Sequence, residues 1–494
     1  MKAAPVPLWA MCLCVVCFGC GESTPSSGPN SPSSLVPDAP ANLQAVAGVQ
    51  SAAVSWDAVA GASSYNVYWS STSGVTKSTG TKVAGLGGSP FQHGPLSGGT
   101  YHYVVTANGA GGESAESTEA SAAVNLVAFA TSASGFGDLG AWPQAAGTSG
   151  TAAGDAICQA LASAANLVGS FRAWLSDDSD DAYCRIHGLT GKKAANCGQA
   201  VLPAAAGPWI RMDGAPWAET IDAISGPIPG AVRAPLLYDE TGHGMATGAF
   251  LITGTYQNGT GASGFSCSNW TSATGNLLMG SPSGIESSWT YSGSAGCDHP
   301  SLRLLCLQAG TGPMLAAPTP AAGAQKAFVT ASSGSANLAS WAGAGGMTGA
   351  AAGDAICQAR AAAAGLANAS RFKAWLGVNS PSVKPVERLT SNGPWARVDG
   401  MEIAPDLAHL GGALLTGLAV DESGHFVHDT FNGHYAWTGD GSGSGPTQTT
   451  CTDWTSSMPI DKGWVGHFFE SSERWSSYFQ SSCDSVHHLY CLED

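Results

Sequence analysis

Charge is what this sequence has least of. Asp, Glu, Lys and Arg make up 11% of 494 residues, against roughly 25% in an average soluble protein. Cations are scarcer still: 19 Lys+Arg face 35 Asp+Glu, a net charge of −16. That balance excludes coating of nucleic-acid phosphates or of anionic lipid, both of which need clustered Lys and Arg. No run of eighteen uninterrupted apolar residues occurs, so no membrane-spanning helix is expected. Beyond the first twenty residues there is no Cys-x-x-Cys pair to suggest a structural zinc site. There is no His-Glu-x-x-His either, and Gly280-Ser-Pro-Ser-Gly284 carries Pro where a nucleophile elbow needs its Ser.

What is present is length, glycine and cysteine. The chain exceeds what one core can serve, which predicts about three domains. An apolar fraction of 44% supports packed cores, and 66 Gly favour turns and strands on a Ser/Thr/Asn-rich surface. The apolar run Leu8 to Phe18 has the length of a secretory signal's hydrophobic region. Gly19-Cys20-Gly21 and the Ser/Pro/Gly-rich stretch after it resemble a bacterial lipoprotein signal. The expectation is a signal over residues 1–19, lipidation of Cys20, and a flexible linker over 20–37. Of the 14 Cys, ten lie beyond that segment, six between 158 and 306 and four between 357 and 491. Even counts in an exported chain predict disulfides.

Residues 38–124 alternate with period two at Ala53-Val54-Ser55-Trp56, at Tyr65–Trp69 and at Tyr101–Val105, which predicts short strands. Pro40…Leu43, Trp56 on an early strand, and Leu96…Gly99-Thr100-Tyr101 resemble a fibronectin type III domain. The resemblance implies an immunoglobulin-like sandwich with Tyr101 as its corner tyrosine.

After Val124 the chain repeats itself. Ala153-Gly-Asp-Ala-Ile-Cys-Gln-Ala160 recurs as Ala352–Ala359, and Gly207-Pro-Trp209 as Gly393-Pro-Trp395. Cys267-Ser-Asn-Trp270 meets Cys451-Thr-Asp-Trp454, and the last cysteine pairs are 297/306 and 483/491. Units this long are a tandem domain duplication rather than a solenoid. They span 126–309 and 326–494, with a Pro/Ala/Gly linker over 310–325. Each unit predicts one alanine-rich helix, near 150–165 and 349–364. Asn166 and Gly365, which tolerate a left-handed position, mark its stop.

The Gly-Asp-x-x-Cys-Gln helix, the Phe-[Arg/Lys]-Ala-Trp-Leu strand, the Cys-x-x-Trp segment and the terminal Cys-Leu resemble endostatin, a collagen-derived domain of C-type-lectin-like fold. They resemble more closely a bacterial set of exported endostatin-like domains of unestablished function. The resemblance implies two α+β domains beside the all-β sandwich. It also implies Cys158–Cys306 with Cys267–Cys297, and Cys357–Cys491 with Cys451–Cys483, leaving Cys184 and Cys197 to pair locally. Spacing alone leaves fifteen connectivities open for the six cysteines. Endostatin's arginine-based heparin binding and N-terminal histidine zinc site have no matching residues here. The Glu-Pro-Asn or Gln-Pro-Asp and Trp-Asn-Asp strings of calcium-dependent lectins are missing too.

Gly135-Phe-Gly-Asp-Leu-Gly140 matches a dinucleotide fingerprint only formally, since the second copy lacks it and no parallel-sheet unit surrounds it. Carboxylates shared by both copies are Asp155/Asp354 at the helix start, Asp213/Asp399 in Asp-Gly turns, and Asp239/Asp421 with Glu240/Glu422. Each has a structural explanation as helix-dipole partner or turn residue. His425 and His428 with Asp421 or Asp429 form the one metal candidate, without a counterpart for His428 in the first copy. Trp209, Trp289, Trp395 and Trp475 fall among Gly, Pro and Ser. With Asp213 and Asp399 they are the expected binding residues, aromatic faces beside polar groups. The expected function is noncovalent recognition of a glycan or an extracellular protein, with no catalytic residue, cofactor or nucleic acid, and membrane contact only through the lipid anchor. The alternatives are an extracellular polysaccharide hydrolase and a structural envelope component.

Overall fold

The computed structural model describes residues 36–226, 232–245, 249–427, 433–441 and 449–494. Signal residues 1–19, Cys20, most of the first linker and His428 lie outside the described residues.

The first domain is a two-sheet sandwich. Ser64–Ser70 and Gly99–Gly109 pair along their length, joined by Thr81–Leu86, Gly112–Glu113 and Ala120–Val124. Opposite them stand Gln44–Gly48, Ser51–Ser55 and Phe91–His93. Alternation along Ser51–Ser55 buries Ala52 and Val54, so period two becomes one face in the core. Trp56, Tyr65, Val67, Tyr103 and Val105 complete that core. The Tyr101 hydroxyl donates to the Ser97 carbonyl at 3.1 Å, the expected corner bond. Gln50 docks this domain on the next one, donating to the Val168 carbonyl at 2.8 Å and accepting from the Val168 N–H at 2.7 Å.

The two repeats share one topology. In the first, the sheet runs Pro216–Ala218, Trp209–Ile210, Leu126–Ala130, Leu302–Gln308, Phe250–Ile252, Asn276–Gly280, Gly293–Gly296. In the second it runs Glu402–Ala404, Trp395–Arg397, Gln325–Val329, His488–Glu493, Tyr435–Trp437, Lys462–His467, Phe479–Ser482. First and last strands therefore lie side by side and antiparallel at the centre, which closes each unit on itself. Phe171–Ala173 and Phe372–Ala374 add a further pairing to the last strand.

Helices Gly150–Ala164 and Gly349–Ala363 bury Ile157 and Cys158, and Ile356 and Cys357, against the sheet. Both stop where expected. Asn166 and Gly365 take φ of 60° and 70°, and Leu167 and Leu366 donate back to the carbonyls of Ala162 and Ala361, which pairs carbonyls the helix end leaves orphaned. Gly154 lets the helix approach the sheet, since a Cβ there would lie 2.5 Å from Leu175. The five disulfides join Cys158–Cys306, Cys184–Cys197, Cys267–Cys297, Cys357–Cys491 and Cys451–Cys483, the pairing the resemblance implied. The long bridges tie helix to central strand, Cys267–Cys297 and Cys451–Cys483 pin a loop to the end of the edge strand, and Cys184–Cys197 staples a short helix to the turn after it.

The repeats also meet each other. Ile285 is buried, and its N–H donates to the Phe469 carbonyl at 3.2 Å. One hydrophobic cluster runs from Leu236 and Ile285 of the first unit into Phe468 and Phe469 of the second.

Candidate functional site

The four tryptophans expected at the surface are in the core: Trp209, Trp289, Trp395 and Trp475 are each at most 1% exposed. Their neighbouring glycines mislead, because they make room for the indole rather than uncover it. Gly207 and Gly393, at φ of 103° and 84°, lie against the six-membered rings of Trp209 and Trp395, 2.7 Å and 2.6 Å from where a Cβ would stand. Trp209 and Trp395 donate their indole N–H to the carbonyls of Gln308 and Glu493, each at 2.8 Å. Trp289 meets Trp174 and Trp217 at ring separations of 5.3 and 5.4 Å. Trp475 meets Trp375 at 5.0 Å and Tyr490 at 5.3 Å. These indoles offer no aromatic face to a ligand.

Asp213 and Asp399 sit in hairpin turns as expected, but their oxygens are engaged by the arginine two residues earlier. Arg397 Nε and Nη2 donate to the two Asp399 oxygens at 3.0 and 2.7 Å. Arg211 grips Asp213 in the same way at 3.1 and 2.5 Å. Both arginines are buried, and a buried guanidinium needs its carboxylate. Asp155 and Asp354 lie beyond the first helical turn, so the dipole is not what they serve. They accept from Ala173 N and Ala374 N, each at 2.9 Å. Each also binds a basic residue, Arg185 at 2.8 Å and Arg388 at 2.6 Å. Burial raises the Asp155 carboxyl despite Arg185 and Arg172 beside it. Glu240 and Glu422 are buried and accept from the backbone N–H of Ser132 and Ala331. Asp239 and Asp421 accept from the N–H groups of their own turns, Thr241 and His243, and Ser423 and His425. All eight carboxylates thus serve as fasteners.

His425 is 80% exposed and 4.0 Å from Asp421, while His428 lies outside the described residues. Among the described residues no three His, Cys, Asp or Glu gather as metal ligands, and no helix is long and apolar enough to cross a membrane. The Cys-x-x-Trp segments take a form that sequence reasoning missed. Cys267 to Trp270 and Cys451 to Trp454 each carry four consecutive left-handed residues, φ 50° to 65°. Such a run costs roughly 1–2 kcal/mol per residue. A disulfide at one end and a buried indole at the other hold it. Trp270 donates to the Ser176 carbonyl at 2.9 Å and Trp454 to the Gly377 carbonyl at 2.7 Å.

Apart from Phe136, the exposed aromatics among the described residues gather near the edge strand of each repeat. Tyr256 and Tyr291, 38% and 39% exposed, meet edge to face at 5.5 Å. In the second repeat Tyr478 and Phe479, 40% and 36% exposed, meet at 5.4 Å, and Tyr435 stacks on Tyr478. Tyr291 and Tyr478 both stand where the chain enters the edge strand, Gly293–Gly296 in one copy and Phe479–Ser482 in the other. Their position just after the conserved-in-both-copies Trp289/Trp475 was the available signal, hidden because the tyrosines themselves do not align.

No family model and no curated protein matches the chain. Among solved structures it is similar to a Fn3-like protein from Clostridium thermocellum, 33% identical over 18% of this chain and 95% of that one, TM-score 0.17. It is similar to FN3tt at 23% identity, over 18% of this chain and 96% of that one, TM-score 0.16. The FN1–FN3 domains of chicken CNTN1 match at 15% identity, over 18% of this chain and 32% of theirs, TM-score 0.16. The chain is a multidomain, sheet-rich protein with few helices whose structural neighbours are Fn3-like domains.

Proposed function

We propose that the two repeats are endostatin-like domains of C-type-lectin-like fold, carried on an exported, lipid-anchored chain, and that they bind a glycan or an extracellular protein at the cell surface. The observation that carries this reading is the pair of exposed aromatic clusters, Tyr256/Tyr291 and Tyr478/Phe479, at matching edges of the two copies. Tyr and Phe supply large contact area at small entropy cost, with two side-chain torsions each. Disulfides and side-chain-to-backbone bonds hold the intervening loops, so little ordering is needed on binding. Five disulfides support export. Two copies add avidity when a ligand spans both.

The test is a glycan and matrix-protein array probed with the full chain, beside the Tyr256→Ala/Tyr291→Ala and Tyr478→Ala/Phe479→Ala variants. Specific binding that falls tenfold or more in either double variant supports the reading. Binding unchanged in both variants contradicts it.

A further inference from the structure

The duplication supplies an internal comparison at the end of the central strand. Phe171 faces Gln308 and Phe372 faces Glu493 in one register. The next residues are Ala309 and Asp494, and their N–H groups donate to the equivalent carbonyls of Ser170 and Arg371. In the second repeat the Asp494 side chain turns inward. Lys373 Nζ approaches it at 2.6 Å. Thr390 donates its N–H at 2.5 Å and its hydroxyl at 2.9 Å, and Ser391 its N–H at 2.8 Å. Burial pushes this carboxyl up, yet Lys373, Ser391 and Thr390 hold it down at about 2.

In the first repeat the equivalent positions surround a different centre, and the N–H groups of His187 and Gly188 donate instead to the carbonyls of Cys184 and Arg185. Arg172 replaces Lys373, Arg185 replaces Arg388, His187 and Gly188 follow as Thr390 and Ser391 do, and Ala309 stands for Asp494. Here lies a cavity of about 260 Å³, lined by Ser170, Arg172, His187, Gly188, Ala309 and Thr311 among others. His187 Nε2 is buried without a hydrogen-bond partner among the described residues. Burial lowers the His187 pKa, with Asp222 opposing. Arg172 reaches Asp155 at 3.3 Å, but Arg185 already holds that carboxylate at 2.8 Å. Two guanidinium groups thus share one carboxylate, where Lys373 and Arg388 have two, Asp494 and Asp354. Ile186 and Ala206 add apolar wall beside the hydroxyl-bearing Ser170 and Thr311.

We propose that this cavity binds the carboxylate side chain of an acidic peptide residue, held by Arg172 as Lys373 holds Asp494 in the second repeat. The proposal rests on reading the repeats as binding modules, and it narrows the partner to protein. A volume below the 300–1,000 Å³ of ordinary ligand pockets suits one side chain. The group that fills the equivalent place in the second repeat is the carboxylate of a protein side chain, which favours an acidic residue over a sugar acid.

Nuclear magnetic resonance titration of the full chain tests it, with acetyl-Leu-Gln-Asp-amide, the Asn-for-Asp version of that peptide, and galacturonate as probes. The aspartyl peptide should shift resonances of His187 and Ala309 saturably, and the asparaginyl peptide should bind at least tenfold more weakly. Arg172→Gln should weaken binding by a similar factor. Ala309→Asp should abolish it by filling the cavity from within, and its retained amide spectrum shows that it folds. Equal binding of both peptides, no saturable shift, or binding retained in Ala309→Asp overturns the proposal. Galacturonate binding more tightly than the aspartyl peptide overturns the assignment to protein. Array binding by the unaltered chain beside no saturable shift with the aspartyl peptide would sink this site alone and leave the aromatic-edge reading standing.

Discussion

Replacing Trp209 by Ala separates a core indole from a ligand platform. The side chain is buried, and its N–H donates to the Gln308 carbonyl on the central strand. Truncating a buried Trp costs about 3–5 kcal/mol in lost burial and cavity. Losing the donor to a buried carbonyl adds about 1 kcal/mol. The sum, about 4–6 kcal/mol, is most of an ordinary domain's stability of roughly 5–15 kcal/mol. A single unfolding free energy is ill defined for a multidomain chain, so hydrogen exchange at Leu302–Gln308 is the better reading. Amides that open with the whole repeat should exchange about a thousandfold faster or more, at tenfold per 1.36 kcal/mol. Trp209→Phe, which keeps a ring and loses the N–H, should lose only about 1–2 kcal/mol. A Trp209→Ala protein with unchanged exchange and lost ligand binding would refute the reasoning.

Other consequences are open to measurement. Cys158→Ala/Cys306→Ala opens a loop with sequence separation 148, and Cys184→Ala/Cys197→Ala one of 13. The chain-entropy relation gives losses of about 5 and about 3 kcal/mol, so urea should unfold the first variant at the lower midpoint. In the sandwich, burial raises the Glu113 carboxyl, but bonds from Thr106, Tyr68 and Asn66, with Lys82 nearby, bring it down to about 2. A depressed carboxyl stabilises above its unfolded pKa and loses that contribution as pH falls from about 4.5 toward 2. Glu113→Gln should flatten this acid limb in melts of the sandwich. Burial, with His434 adding to it, lowers His467 to about 3. The unfolded chain therefore takes up a proton between about 6.5 and 3 that the folded one refuses. The second repeat should lose stability across that window, and His467→Gln should remove part of the slope.

Much of the fold was legible in the sequence. The helices and their stops at Asn166 and Gly365 follow from local chemistry, the repeats from self-similarity, and the sandwich with its Tyr101 corner from the fibronectin type III resemblance. The disulfide pairing came from resemblance, since spacing cannot choose among nested bridges. The tryptophans were misread because glycine beside an aromatic has two causes, an exposed turn or room for a buried ring, and only tertiary contacts distinguish them. The left-handed Cys-x-x-Trp turns were hidden because Cys, Ser, Asn and Trp have no common preference for positive φ, which here is imposed by a bridge and a buried indole. At the cavity beside Arg172 the copies differ by Ala309 against Asp494, visible in the sequence yet without meaning until register places both residues at equivalent positions.

The central claim is that covalent bridges make two copies of one scaffold, each closed on itself. Peptide mapping of the non-reduced chain by mass spectrometry tests it most directly. The account predicts Cys158–Cys306, Cys267–Cys297, Cys184–Cys197, Cys357–Cys491 and Cys451–Cys483. Any crosslink joining a cysteine of the first repeat to one of the second, or free thiols at Cys158 and Cys306, would contradict it.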